Sequence, residues 1–206
     1  MNNRVSTLQT PWGCGALRLA AELIHRGNPN ACVWLSNPSW ANHHPLLESA
    51  GISIQAYPYY NVQNGTLRFE EMLSTLNQAK RGDLVLLHAC CHNPTGADLT
   101  QEQWQAVAKL ADKTGFIPFI DIAYQGFANN LELDAYGIRL LADSVPEMLI
   151  ASSCSKNFGL YRERVGAVSV LANNHTESNI ANQQLLSIAR GIYSMPPAHG
   201  AALVAT

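Results

Sequence analysis

Four lysines occur in this 206-residue chain, and one of them stands apart. Lys80, Lys109 and Lys113 lie in polar, helix-like stretches where a solvated ammonium is ordinary. Lys156 instead follows the hydroxyl- and thiol-rich run SSCS at 152–155, itself preceded by the apolar Met148 to Ala151. A lysine just past a buried strand either extends its ammonium to water or has a chemical role. Other strand-like runs end on equally reactive groups. Leu84 to Ala89 leads into CCHNPTG with Asn93, Ile117 to Ile122 carries Asp121 with Tyr124 three residues on, and Cys32 to Ser36 leads into NPSWANHH with Trp40 and His43. Arg164 follows Lys156 by eight residues, and Gly13-Cys14-Gly15 precedes a helical pattern whose first amides can hold an anion.

An amine, a carboxylate, a phenol, an amide, an indole and an anion-binding turn together match one ligand chemistry, that of pyridoxal 5'-phosphate. Its aldehyde condenses with a lysine amine, and its pyridine nitrogen takes a carboxylate partner. Its phenolate oxygen takes donors such as Tyr and Asn, its ring face an aromatic, and its phosphate Arg, hydroxyls and a helix N-terminus. Each part alone has an ordinary explanation. A GxG before a helix is usually a tight turn, Asp121 could cap or pair, Tyr124 and Trp40 are by default core or rim aromatics, and His43 and His88 are commonly structural. The joint match is what carries weight. A zinc reading of HACCH at 88–92 competes, because strand alternation would put His88, Cys90 and His92 on one side. No second ligand cluster at finger spacing accompanies it, and the expectation is no metal.

The elements that must position these residues alternate along the chain. Strand-length runs are expected at Cys32 to Ser36, Ile52 to Tyr57, Leu84 to Ala89, Ile117 to Ile122, Met148 to Ser152 and Val165 to Leu171. Helices are expected at Gly15 to Arg26, Trp40 to Ser49, Phe69 to Asn77, Thr100 to Lys113, Leu133 to Asp143 and Thr176 to Arg190. Thr100 with Gln103 forms a capping box ahead of Trp104 and Val107. Near-continuous apolar strands alternating with helices predict an α/β/α sandwich around a mostly parallel sheet, with ligands beyond the carboxyl ends of the strands.

Composition bounds the partners. A formal charge of -2 argues against nucleic acid or an anionic membrane surface. No apolar run reaches the ~18 residues of a membrane span. MNNRVSTLQTPWG has no apolar signal core, and five cysteines, mostly in apolar segments, suit a reducing compartment, so the expected setting is the cytosol. A helical pattern near the start and GAALVAT at the end read as an excerpt of a longer chain.

SSCSKNFGLYRERVG, DIAYQGF, CCHNPTG and SNPSWANH together resemble the class I pyridoxal-phosphate aminotransferases, in the aspartate and aromatic amino acid branch, from about Gln9 to the last residue. The resemblance implies the large domain of a fold type I enzyme over 1–206, with an N-terminal arm and a C-terminal small domain absent. It implies transamination with 2-oxoglutarate, a homodimer, and small amino and oxo acids as substrates. Lys156 then holds the cofactor as an internal aldimine and serves as the proton-moving base. Asp121 partners the pyridinium, supported by His43 and His88. Tyr124 and Asn93 bond the phenolate oxygen, Asn93 also touching the substrate carboxylate, and Trp40 stacks on the ring. Ser153, Ser155 and Arg164 bind the phosphate with Gly13 and Cys14. Arg190, in ARGIYSMPP, crosses the dimer interface to the distal carboxylate of dicarboxylic substrates. The likeness departs at Cys14, where the family commonly has a threonine. It also lacks the family's upstream tyrosine and its C-terminal arginine for the α-carboxylate. A cofactor-binding module without turnover, or a fold type I enzyme of other outcome, is the alternative.

Overall fold

The computed structural model describes residues 3–206; Met1 and Asn2, which open the N-terminal stretch read above, lie outside the described residues. In chain order the elements are β1 (Val5–Pro11), α1 (Trp12–Gly27), β2 (Cys32–Asn37), α2 (His43–Glu48), β3 (Ser53–Pro58), the short β4 (Tyr60–Asn61) and β5 (Thr66–Leu67), α3 (Phe69–Leu76), β6 (Leu84–His88) and α4 (Gln101–Thr114). They continue with β7 (Ile117–Ile122), α5 (Tyr136–Ser144), β8 (Met148–Ser153), β9 (Val165–Leu171), α6 (His175–Ile192) and α7 (Ala198–Ala205). Among the described residues seven strands form one sheet in the order β1-β9-β8-β7-β6-β2-β3. Pairing is parallel from β3 through β8, and β9 is antiparallel to both β8 and β1. Six strands therefore run one way and only β9 returns, which gives one edge where β1, β2, β6, β7 and β8 all end.

Alternation along the central strands explains the three layers. Leu84 and Leu86 of β6 and Phe119 of β7 join a buried cluster with α1, α2 and α6. Val85, Leu87, Ile120 and Ile122 face the other way, onto Met72, Trp104, Val107 and Leu141 of α3, α4 and α5. Each strand residue thus serves one face, and both faces are covered by helices. The expected sandwich is what forms, and the Thr100–Gln103 capping box is present at the start of α4.

Two features differ from the sequence reading and bear on the site. β1 was not anticipated, because VSTLQTP is an edge strand of half-exposed, mixed-polarity residues. Its end feeds directly into α1, which begins at Trp12 rather than Gly15. Gly13-Cys14-Gly15 is thereby pinned at the strand edge. Gly13 makes the close approach possible, since a Cβ there would stand 3.0 Å from that of Ser153.

Candidate active site

The strand ends gather most of the residues read from the sequence around one cavity. Gly13 and Cys14 come from the start of α1, Trp40 from the loop after β2, Asn93 from the loop after β6, Asp121 and Tyr124 from the end of β7, and Ser153 and Lys156 from the end of β8. Asp121 sits in register with His88 on β6 and Ala151 on β8, which centres it on the edge.

Behind Asp121 runs a chain of imidazoles. His43 is fully buried, with Nε2 2.9 Å from Asp121 Oδ2 and Nδ1 2.9 Å from Ser39 Oγ. Its ring meets those of Trp40 and His88 edge-on, each at 5.2 Å. His88 stacks on His92 at 4.3 Å, and His92 on Tyr59 at 3.9 Å. Burial holds His88 well below the usual histidine range, with His92 and His43 adding to the effect. Burial, with a contribution from His43, pushes His92 down to about 4. Both are therefore neutral at pH 7.

Hydrogen bonds to these rings bear on whether they could hold a metal. His43, His88 and Asp121 offer ligand atoms within 4.8 Å of one another. Yet Asn93 N–H donates to His88 Nδ1 at 2.9 Å, which puts the imidazole proton on Nε2 and leaves that atom no lone pair for a cation. The HACCH reading fails for a related reason. β6 stops at His88, Cys91 takes φ +48°, and the chain bends so that His92 returns against His88. Both His92 nitrogens are then engaged, Nε2 with Ser36 Oγ at 2.9 Å and Nδ1 with Thr95 Oγ1 at 2.8 Å.

In the same cavity lining, Lys156 Nζ lies 4.9 Å from the Tyr124 ring centroid. Among the described residues no carboxylate pairs with it. Cys14 is close enough to feel the charges of Asp121, Arg164 and Lys156. Burial and then Asp121 raise its pKa, against opposing contributions from Asn42, Arg164 and Lys156, so it stays a neutral thiol. Asn42 Nδ2 donates to its sulfur at 3.6 Å.

Several buried polar atoms around this edge have no protein partner: His88 Nε2, Ser155 Oγ, Asn157 Oδ1 and Arg164 Nη2. Buried polar groups are nearly always hydrogen-bonded, so these atoms remain open to a ligand or to water. Ser155 and Arg164 flank the cavity rather than line it. Arg164 lies on Trp12, its Cζ 3.3 Å from the indole centroid. Arg190 is elsewhere, exposed in the last turn of α6, with Nη1 donating to Ser194 Oγ at 2.6 Å. Sequence reasoning missed Trp12, whose place between Pro11 and Gly13 reads as a spacer. It also missed the stacked pair His92 and Tyr59, which lie far apart in sequence.

Comparison with known proteins settles what this arrangement belongs to. Residues 1–206 match the family model described as aminotransferase class I and II. The chain belongs to that family. It is 49% identical over 205 residues to an aspartate aminotransferase of Escherichia coli, covering 100% of this chain and 52% of that protein. It is 48% identical over 201 residues to an aromatic-amino-acid aminotransferase of Paracoccus denitrificans, covering 98% and 51% respectively. Among solved structures, an aromatic-amino-acid aminotransferase from Burkholderia pseudomallei covalently bound to pyridoxal phosphate superposes with a TM-score of 0.96 at 44% identity. That match covers 98% of this chain and 51% of the other. The chain thus spans about half the length of the curated relatives it matches. For this family member the sheet, the edge and the cavity fit the aminotransferase fold. Among the described residues no helix is long and apolar enough to cross a membrane.

Proposed function

We propose that this chain is the cofactor-binding domain of an aminotransferase that moves an amino group between aspartate or an aromatic amino acid and 2-oxoglutarate, with pyridoxal 5'-phosphate held at Lys156. The observation that carries this reading is that one cavity is lined by both a lysine amine without a carboxylate partner and a carboxylate already bonded to a buried histidine. The orphaned donors and acceptors at Ser155, Arg164 and His88 support the fit of a phosphorylated, ring-shaped ligand. Relatives named for the aspartate and the aromatic reaction are almost equally similar, so both substrate classes stay within the proposal.

Each residue then has a task set by its chemistry. When bound, the cofactor supplies an electron-withdrawing ring next to the substrate α-carbon. Lys156 is the amine that attaches it and, once free, the base that takes up and returns the α-proton. Asp121 would keep the ring nitrogen of the bound group protonated, and His43 donates to Asp121 so that the carboxylate keeps its orientation. Tyr124 and Asn93, both in the cavity lining, would hold the phenolate oxygen, and Asn93 would also hold the substrate carboxylate. Trp40, in the cavity lining, would cover the ring face and shield it from water. Gly13 and Cys14 at the α1 N-terminus, Ser153, Ser155 and Arg164 take the phosphate, with backbone amides doing what the weak thiol donor of Cys14 cannot.

Arg190, exposed and outside this cavity, fits a role only if a second subunit presents it, which makes a homodimer part of the proposal; there it binds the distal carboxylate of a dicarboxylic substrate. A cytosolic setting belongs with these small, soluble substrates. The position of Arg190 also favours a second reading, a module that binds the cofactor without full turnover. A fold type I enzyme of other outcome is the third. Adding pyridoxal 5'-phosphate and then aspartate or phenylalanine to the purified chain separates them. Spectral conversion with release of a 2-oxo acid supports transamination, conversion with another product supports the third reading, and a bound but unresponsive cofactor supports the second.

A further inference from the structure

Trp12 is a bulky residue in a backbone conformation that side chains rarely take, with φ +79°. The surroundings hold it there. The Trp12 N–H donates to the Arg164 carbonyl at 3.1 Å, and Thr10 Oγ1 donates to the Trp12 carbonyl at 2.9 Å. Only glycine fits at 166, because a Cβ there would come within 2.5 Å of the Trp12 carbonyl carbon. Arg164, on the other side of this junction, is also left-handed at φ +54°.

Core packing does not explain the indole, which is 40% exposed. It lies against the face of the Arg164 guanidinium, 3.3 Å from Cζ to the ring centroid. Stacking on a π-face leaves the in-plane N–H fork free for a bidentate anion, and Arg164 Nη2 is enclosed with no acceptor. Strain of this kind persists only where neighbouring structure over-determines it, and it concentrates at ligand clamps. Resting on the cofactor reading above, we propose that Trp12 is a positioning residue for the phosphate: its indole holds the Arg164 guanidinium flat so that the fork meets the phosphate edge-on.

Pyridoxal, which lacks the phosphate, provides the control. Affinities of the full chain for pyridoxal 5'-phosphate and pyridoxal are measured by absorption for the wild type and for Trp12→Phe, Trp12→Leu and Trp12→Gly. Phe and Leu carry the same Cβ at the same φ and differ in the ring, whereas Gly removes both ring and strain. Leu and Gly should lower the preference for the phosphorylated ligand by about tenfold with pyridoxal binding unchanged, and Phe should retain most of it. Inorganic phosphate should compete less well in the Leu and Gly variants. Should the Leu variant not fold, the Gly variant, which suits φ +79°, carries the test. A preference unchanged in Gly, or equally reduced in Phe, overturns the role of Trp12 while leaving the cofactor reading intact. A wild type that binds neither ligand removes that reading and this inference together.

Discussion

Acid should unfold this protein through His92 before its carboxylates are fully protonated. The ring lies between Tyr59 at 3.9 Å and His88 at 4.3 Å, with only 2% of the residue exposed. Ser36 and Thr95 hydroxyls meet its two nitrogens, and either can accept a hydrogen bond, so what opposes protonation is burial, with a contribution from His43. An unfolded histidine binds its proton near 6.5, whereas this one is held down to about 4. Between those values the unfolded state carries the extra proton, so stability rises with pH there. It is complete above about 6.5, declines as pH falls toward 4, and levels off below that. The 2.5-unit gap corresponds to a loss on the order of 3 kcal/mol, and His88 acts in the same direction. Urea unfolding at pH 7, 6, 5 and 4.5 measures the decline directly. His92→Gln keeps polar contacts but cannot titrate, so its curve should be flatter through this window. Parallel curves for the two proteins would refute the argument.

Three further outcomes follow from packing and capping. Gly137 of α5 lies against Trp104, where an added Cβ would come within 2.5 Å of the indole, so Gly137→Ala should cost ~1–3 kcal/mol and lower Tm in a thermal melt. Thr100→Ala removes both the N-cap acceptor and the reciprocal geometry of the capping box, for a loss of about 1 kcal/mol and a Tm drop of roughly 2–4 °C. His43→Phe leaves Asp121 Oδ2 without its bond, and should weaken cofactor binding while leaving Thr100→Ala-type stability effects additive; absorption titration of single and double variants checks both.

Much of this fold could be read from residue order because each central strand is bounded sharply. Ile117 to Ile122 and Val165 to Leu171 are apolar runs between turn residues, and their limits match the structure. The direction of β9 was not legible, since nothing within VGAVSVL distinguishes a parallel from an antiparallel neighbour. β1 escaped because edge strands need only a half-buried face, and SNPSWANHH looked helical from Trp40 while α2 begins only at His43. In the site, Lys156, Asp121, Tyr124, Asn93 and Trp40 were visible as reactive types at strand ends. The imidazole stack was not, since His92 reaches His88 only because Cys91 turns at positive φ and Asp98 accepts from the Cys91 and His92 N–H groups. Trp12 was invisible for the same reason: its role depends on a backbone conformation, not on a spacing.

The central claim concerns one amine. The chain has only four lysines, so the attachment point can be located without ambiguity. Purified protein loaded with pyridoxal 5'-phosphate and reduced with borohydride should carry a single phosphopyridoxyl group, found by peptide mass analysis on Lys156, with Lys156→Ala unlabelled. Label spread over Lys80, Lys109 and Lys113, or label that persists in the Lys156→Ala protein, would contradict the account.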